Sequence, residues 1–245
     1  MQEPKDREFF QRVWSTDPDI YKDRLKSIGF EGLDHVLDAG CGFAQWTFPL
    51  AELNNNVVGL EYDANRILVT QEILRGLKTS NIKIEQGDIE KIQYPHNTFD
   101  GVFCYSALYF TDFKKTLLGF FKIIKPGGHL YFSTNDIGWY FYNILNEHNS
   151  TKHFSSCQMG MNAISNSIKF YSGSNFERKH MIVMPKDYVI KLLKEIGFLV
   201  IEVNGDGKID LVGKGRGKSF YSESFNEYNC VYEVLCQKPE IKSLN

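Results

Sequence analysis

Asp34-His35-Val36-Leu37-Asp38-Ala39-Gly40-Cys41-Gly42-Phe43-Ala44-Gln45-Trp46 is the stretch on which the reading of this 245-residue chain turns. A short apolar pair, Val36-Leu37, runs into an acid and then two glycines one residue apart. That order describes a buried parallel strand passing into a tight turn and the start of a helix. Glycine allows positive φ there and removes the Cβ that would hold a ligand off the backbone. The first N–H groups of a following helix would favour a polar or anionic ligand group. A dinucleotide-binding turn calls for Gly or Ala three residues after the second Gly, and that position holds Gln45. A nicotinamide-dependent oxidoreductase is disfavoured on this ground.

The pattern Asp38-x-Gly40-x-Gly42-x-Ala44 closely resembles the glycine-rich motif of class I S-adenosylmethionine-dependent methyltransferases, with Ala44 in place of a common Gly. Four further stretches continue the resemblance in order, so that it covers roughly residues 30 to 135. Val57-Val58-Gly59-Leu60-Glu61 resembles the second strand, whose acid implies a hold on both ribose hydroxyls. Ile82 to Ile89 resembles the third strand, with Asp88 the implied adenine ligand and Tyr62 and Ile89 on the ring's faces. Phe99 to Cys104 resembles the fourth strand, and Tyr109 just after it reads equally as a residue facing the methyl group or as core packing. Lys125-Pro126-Gly127-Gly128 resembles the turn before the fifth. The resemblance implies S-adenosylmethionine as cofactor, held by Asp38, Gly40, Cys41, Gly42, Glu61, Tyr62, Asp88, Ile89, Cys104 and Tyr109. It also implies a doubly wound α/β fold, a mostly parallel seven-stranded sheet with an antiparallel last strand, here Cys230 to Cys236.

Composition agrees with one globular domain over 1–245, 24% charged and 42% apolar residues with net charge −2, and the resemblance implies that this is a single methyltransferase domain. Nothing in that balance attracts a polyanion, so no nucleic-acid partner is expected. The N-terminal stretch lacks an apolar signal core and no apolar run is long enough to span a bilayer, giving a cytoplasmic expectation. Five scattered cysteines without a Cys-x-x-Cys pair argue against a metal site or a disulfide framework.

Along the chain, Glu8 to Trp14 and Ile20 to Leu25 read as two short helices, the second with Asp17 as N-cap and Pro18 at its first position. Trp14 or Tyr21 could close over the cofactor or simply pack on the sheet. Crossover helices are expected at 43–53, at 63–77 opened by Asp63, and after Asp112. About 50 residues then separate the strand His129–Ser133 from the helix 185–196. This interval is too long for a connection and emerges above the ligand side of a parallel sheet, so 135–180 is expected to form a mobile substrate lid or, alternatively, a rigid subdomain packed on the sheet or on a partner subunit. Gly205 to Lys218 reads as a solvated hairpin loop.

Methyl transfer needs alignment and exclusion of water more than acid–base groups. His148 and His153 are candidates for a base, each also readable as a surface or packing residue. Cys104-Tyr105-Ser106-Ala107 lacks the Asn/Asp-Pro-Pro-Tyr of enzymes that methylate amino groups of bases or glutamine, which counts against those acceptors and favours a small molecule attacked at O or N; the overall resemblance, to methyltransferases of natural-product, sugar and quinone biosynthesis, implies an acceptor of that kind. The other reading is a non-catalytic S-adenosylmethionine-binding regulatory or assembly module. The sequence leaves the acceptor and the oligomeric state open.

Overall fold

A computed structural model describes residues 4–77, 79–215 and 217–240; Arg216 of the hairpin loop and the first three residues of the N-terminal stretch lie outside these. Seven strands form one sheet: β1 (His35–Ala39), β2 (Asn56–Glu61), β3 (Ile82–Gln86), β4 (Phe99–Tyr105), β5 (Ile124–Asn135), β6 (Leu199–Gly205) and β9 (Val231–Gln237). Their order is β3-β2-β1-β4-β5-β9-β6, and β9 alone runs antiparallel to its neighbours. The doubly wound, mostly parallel sheet with an antiparallel last strand is therefore as expected. A two-residue hairpin, β7 (Ser224–Phe225) and β8 (Tyr228–Asn229), lies between β6 and β9.

Both faces of the sheet are buried because successive side chains of a strand point to opposite sides. Leu37, Val102, Leu130, Phe132, Val234 and Cys236 enter one core with Phe113, Leu117 and Phe120 of α5 (Phe113–Ile123) and Val189 and Leu193 of α8 (Lys186–Ile196). Val36, Val57, Phe103, Tyr131 and Leu235 enter the other, with Tyr21 and Leu25 of α2 (Pro18–Ser27) and Leu50 of α3 (Thr47–Leu53). Each such fully buried aliphatic side chain contributes about 1.5–3 kcal/mol relative to exposure.

The local signals set most boundaries. Asp17, Asp63 and Asp112 cap α2, α4 (Ala64–Gly76) and α5 with their carboxylates. The first crossover helix is shorter than expected. Residues 43–46 stay in the turn, Ala44 takes φ +62°, and α3 begins only at Thr47. α1 (Pro4–Trp14) lies across the carboxyl end of the sheet, tied to α4 by Arg66 and Asp6 at 2.8 Å.

The interval after β5 is built of two helices, α6 (Ile137–Asn146) and α7 (Ser156–Tyr171), packed on each other with Trp139, Tyr140 and Ala163 buried. The returning chain is fixed by the Ile182 N–H on the Tyr109 carbonyl and the Met184 N–H on that of Asn135. The Gly-rich loop after β6 is exposed over 211–215, as the solvated-hairpin expectation has it, but its flanks correct that expectation: Asp206 and Ile209 are buried and Phe220 packs on Trp46 and Tyr105. Its anchor is ionic. Arg24 Nη2 donates to Asp206 Oδ1 at 2.5 Å and to Glu233 Oε2 at 2.7 Å, all inside the core.

Candidate functional site

In the strand order, the chain steps outward from β1 to β3 and then returns to lay β4 against the other edge of β1, so a crevice opens beyond the carboxyl ends of β1 and β4. Gly40 leaves β1 at φ +83°, and a Cβ built on it would stand 2.5 Å from the Ala107 Cβ in the loop after β4. The missing side chain lets the two loops touch. Gly42, at φ +59°, has only ordinary contacts around its would-be Cβ, the nearest being Gln45 and Phe9 of α1 at 3.6 and 3.8 Å. Phe10 meets Phe43 edge-on at 5.3 Å, so α1 roofs the turn.

Four backbone donors of this turn are already used. Gly40 and Cys41 N–H both reach the Leu60 carbonyl, at 2.8 and 3.0 Å, the Gly42 N–H donates to Glu61 Oε2 at 2.8 Å, and Ala44 N–H donates to the Cys41 carbonyl. The N–H groups of these four residues are therefore not what draws an anion, and the helix starts four residues later than expected, at Thr47. The distinguishing feature is instead the geometry of the two acids, Asp38 and Glu61.

It suits a nucleoside with a cationic tail. Glu61 is buried, and its oxygens each accept one backbone N–H, from Gly42 and from Asp63 at 2.9 Å. A carboxylate has about four acceptor positions, so two remain, as a ribose diol requires. Asp38 is buried beneath the turn, with Thr47 Oγ1 donating to it at 2.6 Å. Burial, reinforced by the nearby Glu61 charge and opposed by the Thr47 bond, pushes its carboxyl up to about 7. A cation placed beside it would relieve that cost.

The remaining expected residues are distributed less simply. Ile89 is buried, and Tyr62 is 70% exposed at the mouth. Asp88 caps the short turn Ile89–Lys91 through the Glu90 N–H, but both its oxygens also receive Arg178, at 2.6 and 2.8 Å. Cys41 and Cys104 are buried packing thiols. Burial raises both well above the usual thiol range, so neither supplies a thiolate. Tyr109 is buried after β4, where burial and the neighbouring Tyr221 keep its phenol protonated. Tyr221 in turn packs on Trp139 at 5.2 Å, so the loop after β6 and α6 meet beside Tyr109.

Neither candidate base histidine is buried at the crevice. His148 faces the Tyr142 hydroxyl at 3.3 Å and the edge of Trp139, and His153 sits in an exposed turn closed by the Thr151–Phe154 bridge. Tyr21 is a core residue stacked edge-on against Trp46, whereas Trp14 donates to the Phe43 carbonyl at 3.3 Å from the rim. Thr47, Ala107, Phe9 and Arg178 were not legible as site residues. Each acts through a contact made across the fold, and Arg178 stands 90 positions from its partner.

Comparison with known proteins agrees with this fold. Residues 31–201 match the family described as "Methyltransferase domain". A demethylmenaquinone methyltransferase from Geobacillus sp. (strain WCH70) is 30% identical over 111 residues, 44% of this chain and 47% of that protein. The chain thus matches about half the length of such curated relatives. The crystal structure of an S-adenosylmethionine dependent methyltransferase from Mesorhizobium loti superposes with a TM-score of 0.58 at 16% identity, covering 90% of this chain and 96% of that one. The cyclase SpnF superposes with 0.62 at 13% identity, covering 91% and 81%. At those identities the likeness is one of fold.

Proposed function

Because the chain belongs to the methyltransferase-domain family, we propose that it is an enzyme that binds S-adenosylmethionine in the β1–β4 crevice and methylates a small-molecule acceptor. The observation that carries the reading is the state of the turn after β1. Four of its N–H groups are consumed internally, while Glu61 keeps two acceptor positions free and Asp38 waits buried for a counter-charge.

When bound, the cofactor supplies a methyl group already activated on a sulfonium. The chain's part is to hold, orient and keep water out. Glu61 takes the ribose hydroxyls, Asp38 balances the positive charge through the turn, and the Gly40–Ala107 contact fixes where the β1 and β4 loops stand relative to each other. Ile89 and Tyr62 offer faces to the base, and the backbone of Gly40, Cys41 and Gly42 forms the floor. Phe9 and Phe10 of α1 exclude water from above. On the acceptor side stand Tyr109, Tyr221 and Trp139, a surface of rings suited to a flat, largely apolar acceptor. A quinone-like ring fits this description, and the relatives named for demethylmenaquinone support the class without fixing the compound.

No base is assigned. Tyr109 stays protonated and therefore serves as a hydrogen-bonding group, which suits acceptors whose own acidity supplies the nucleophile. Incubation with S-adenosylmethionine and a panel of phenolic, quinol, amine and sugar metabolites, read by mass gain of one methyl, tests the reading. Binding of S-adenosylhomocysteine with no product across the panel would favour a binding module instead. Failure to bind it would remove the cofactor assignment.

A further inference from the structure

Asp88, the residue expected to read the adenine amino group, is occupied. Arg178, in the turn that follows α7, lays Nη1 on Asp88 Oδ2 at 2.6 Å and Nη2 on Oδ1 at 2.8 Å, a two-pronged pair. Oδ1 also accepts the Glu90 N–H at 2.9 Å. The same guanidinium stands over the Tyr62 ring, 5.6 Å from its centre. A flat base between Tyr62 and Arg178 needs about 7 Å, two face contacts of roughly 3.5 Å each. The ring does not fit while Arg178 stays.

We propose that Arg178 is an internal competitor for the adenine pocket, holding Asp88 and covering Tyr62 until the cofactor's base displaces it. This rests on the assignment of the β1–β4 crevice to S-adenosylmethionine. The exchange needs only a side-chain swing, because the turn that carries Arg178 is pinned. Buried Asn166 donates from Nδ2 to the carbonyls of Glu177 and His180 at 3.0 Å and accepts the Glu177 N–H on Oδ1 at 2.7 Å. A second acceptor waits nearby. Glu90 Oε2 lies 3.6 Å from Arg178 Nε and is already fixed by the Asp112 N–H at 2.9 Å. Arg178 therefore trades one carboxylate for another, and Asp88 is released to accept the base's exocyclic N–H.

The competition has a signature that a merely structural ion pair lacks. Removing the guanidinium should strengthen binding, since the cofactor no longer has to break the pair. Salt weakens a half-exposed ion pair, so salt should strengthen binding to the wild type and lose that effect once Arg178 is gone. The experiment is titration calorimetry and stopped-flow binding of S-adenosylhomocysteine to the full chain, its Arg178→Ala variant and its Arg178→Gln variant, at low and high sodium chloride. The expected result is about three- to tenfold tighter binding by both variants, carried by a faster on-rate, with the salt response confined to the wild type. Unchanged affinity would reduce Arg178 to a surface pair, and weaker binding would make it a cofactor ligand; either overturns the proposal. No binding by any of the three proteins would instead overturn the cofactor assignment on which it rests.

Discussion

A buried acid beneath a cation site ties affinity to pH. The carboxyl of Asp38 stands at about 7 because burial disfavours its charged form, so below pH 7 the free protein holds a proton there. A cationic ligand favours the carboxylate, and binding must then expel that proton. S-adenosylmethionine should accordingly bind more tightly as pH rises from 6 to 8 and level off above, with proton release at pH 6 visible by calorimetry in buffers of different ionisation enthalpy. Affinity independent of pH across that range would show that Asp38 does not sense the cofactor. The two glycines of the turn separate by their surroundings. Gly42→Ala meets only the cost of a left-handed residue, about 1–2 kcal/mol, because its Cβ has room. Gly40→Ala adds a collision with Ala107, a further ~1–3 kcal/mol, which Ala107→Gly should relieve. Urea denaturation of the three variants measures both terms. The glycines, Glu61 and Asp38 were readable because each owes its place to its position at a strand end. Ala107 was not, since nothing in a sequence says which small residue fills the space a glycine leaves.

The helices and loops were legible where a local rule set them, as with the Asp caps of α2, α4 and α5. They were missed where tertiary bonds decide. The loop after β6 reads as solvated glycine and lysine, yet Asp206 carries it into the core against Arg24, and its other oxygen receives the Phe220 and Tyr221 N–H groups at 2.6 and 3.1 Å. Arg24→Leu leaves Asp206 and Glu233 buried together without a cation, so a loss at the upper end of ~3–5 kcal/mol is expected. Asp206→Asn keeps the shape, yet whichever way its amide lies the NH2 faces donors, Arg24 Nη2 on one side or the Phe220 and Tyr221 N–H groups on the other, so a loss of ~1–3 kcal/mol is expected. The interval 135–180 also gains definition at this scale. Its length announced an insertion, but α6 and α7 bury Trp139, Tyr140, Asn143, Ala163 and Asn166, and opening them would expose those groups together. We expect slow amide exchange through both helices in the ligand-free chain, with cofactor-dependent protection confined to the turn at 172–180. Rapid exchange along α6 and α7 that stops on adding S-adenosylhomocysteine would instead support the mobile lid over the rigid subdomain.

For the whole molecule, the doubly wound, mostly parallel sheet was legible because strand-like and helix-like segments alternate, and its observed strand order brings the proposed ligand residues to the carboxyl ends of neighbouring strands. Glu61 closes β2, Asp38 and Gly40 close β1, and Ala107 and Tyr109 follow β4. A ligand seated there joins the ends of three strands to α1 above them, contacts that exist only in the folded chain. Binding must therefore raise global stability by mass action, about 2.7 kcal/mol at a ligand concentration one hundred times Kd. For a domain of this size each kcal/mol moves the melting temperature by roughly 2–4 °C, so S-adenosylhomocysteine at that excess should raise it by about 5–10 °C. NAD at the same concentration should leave it unmoved, because Gln45 stands where a dinucleotide turn calls for Gly or Ala and four N–H groups of the turn after β1 are already bonded within the chain. Glu61→Ala should lower the shift together with the affinity, which falls at least about tenfold for a lost charge-assisted pair of bonds. A thermal shift with NAD that survives Glu61→Ala would place a different ligand in the crevice and return the turn to the dinucleotide class.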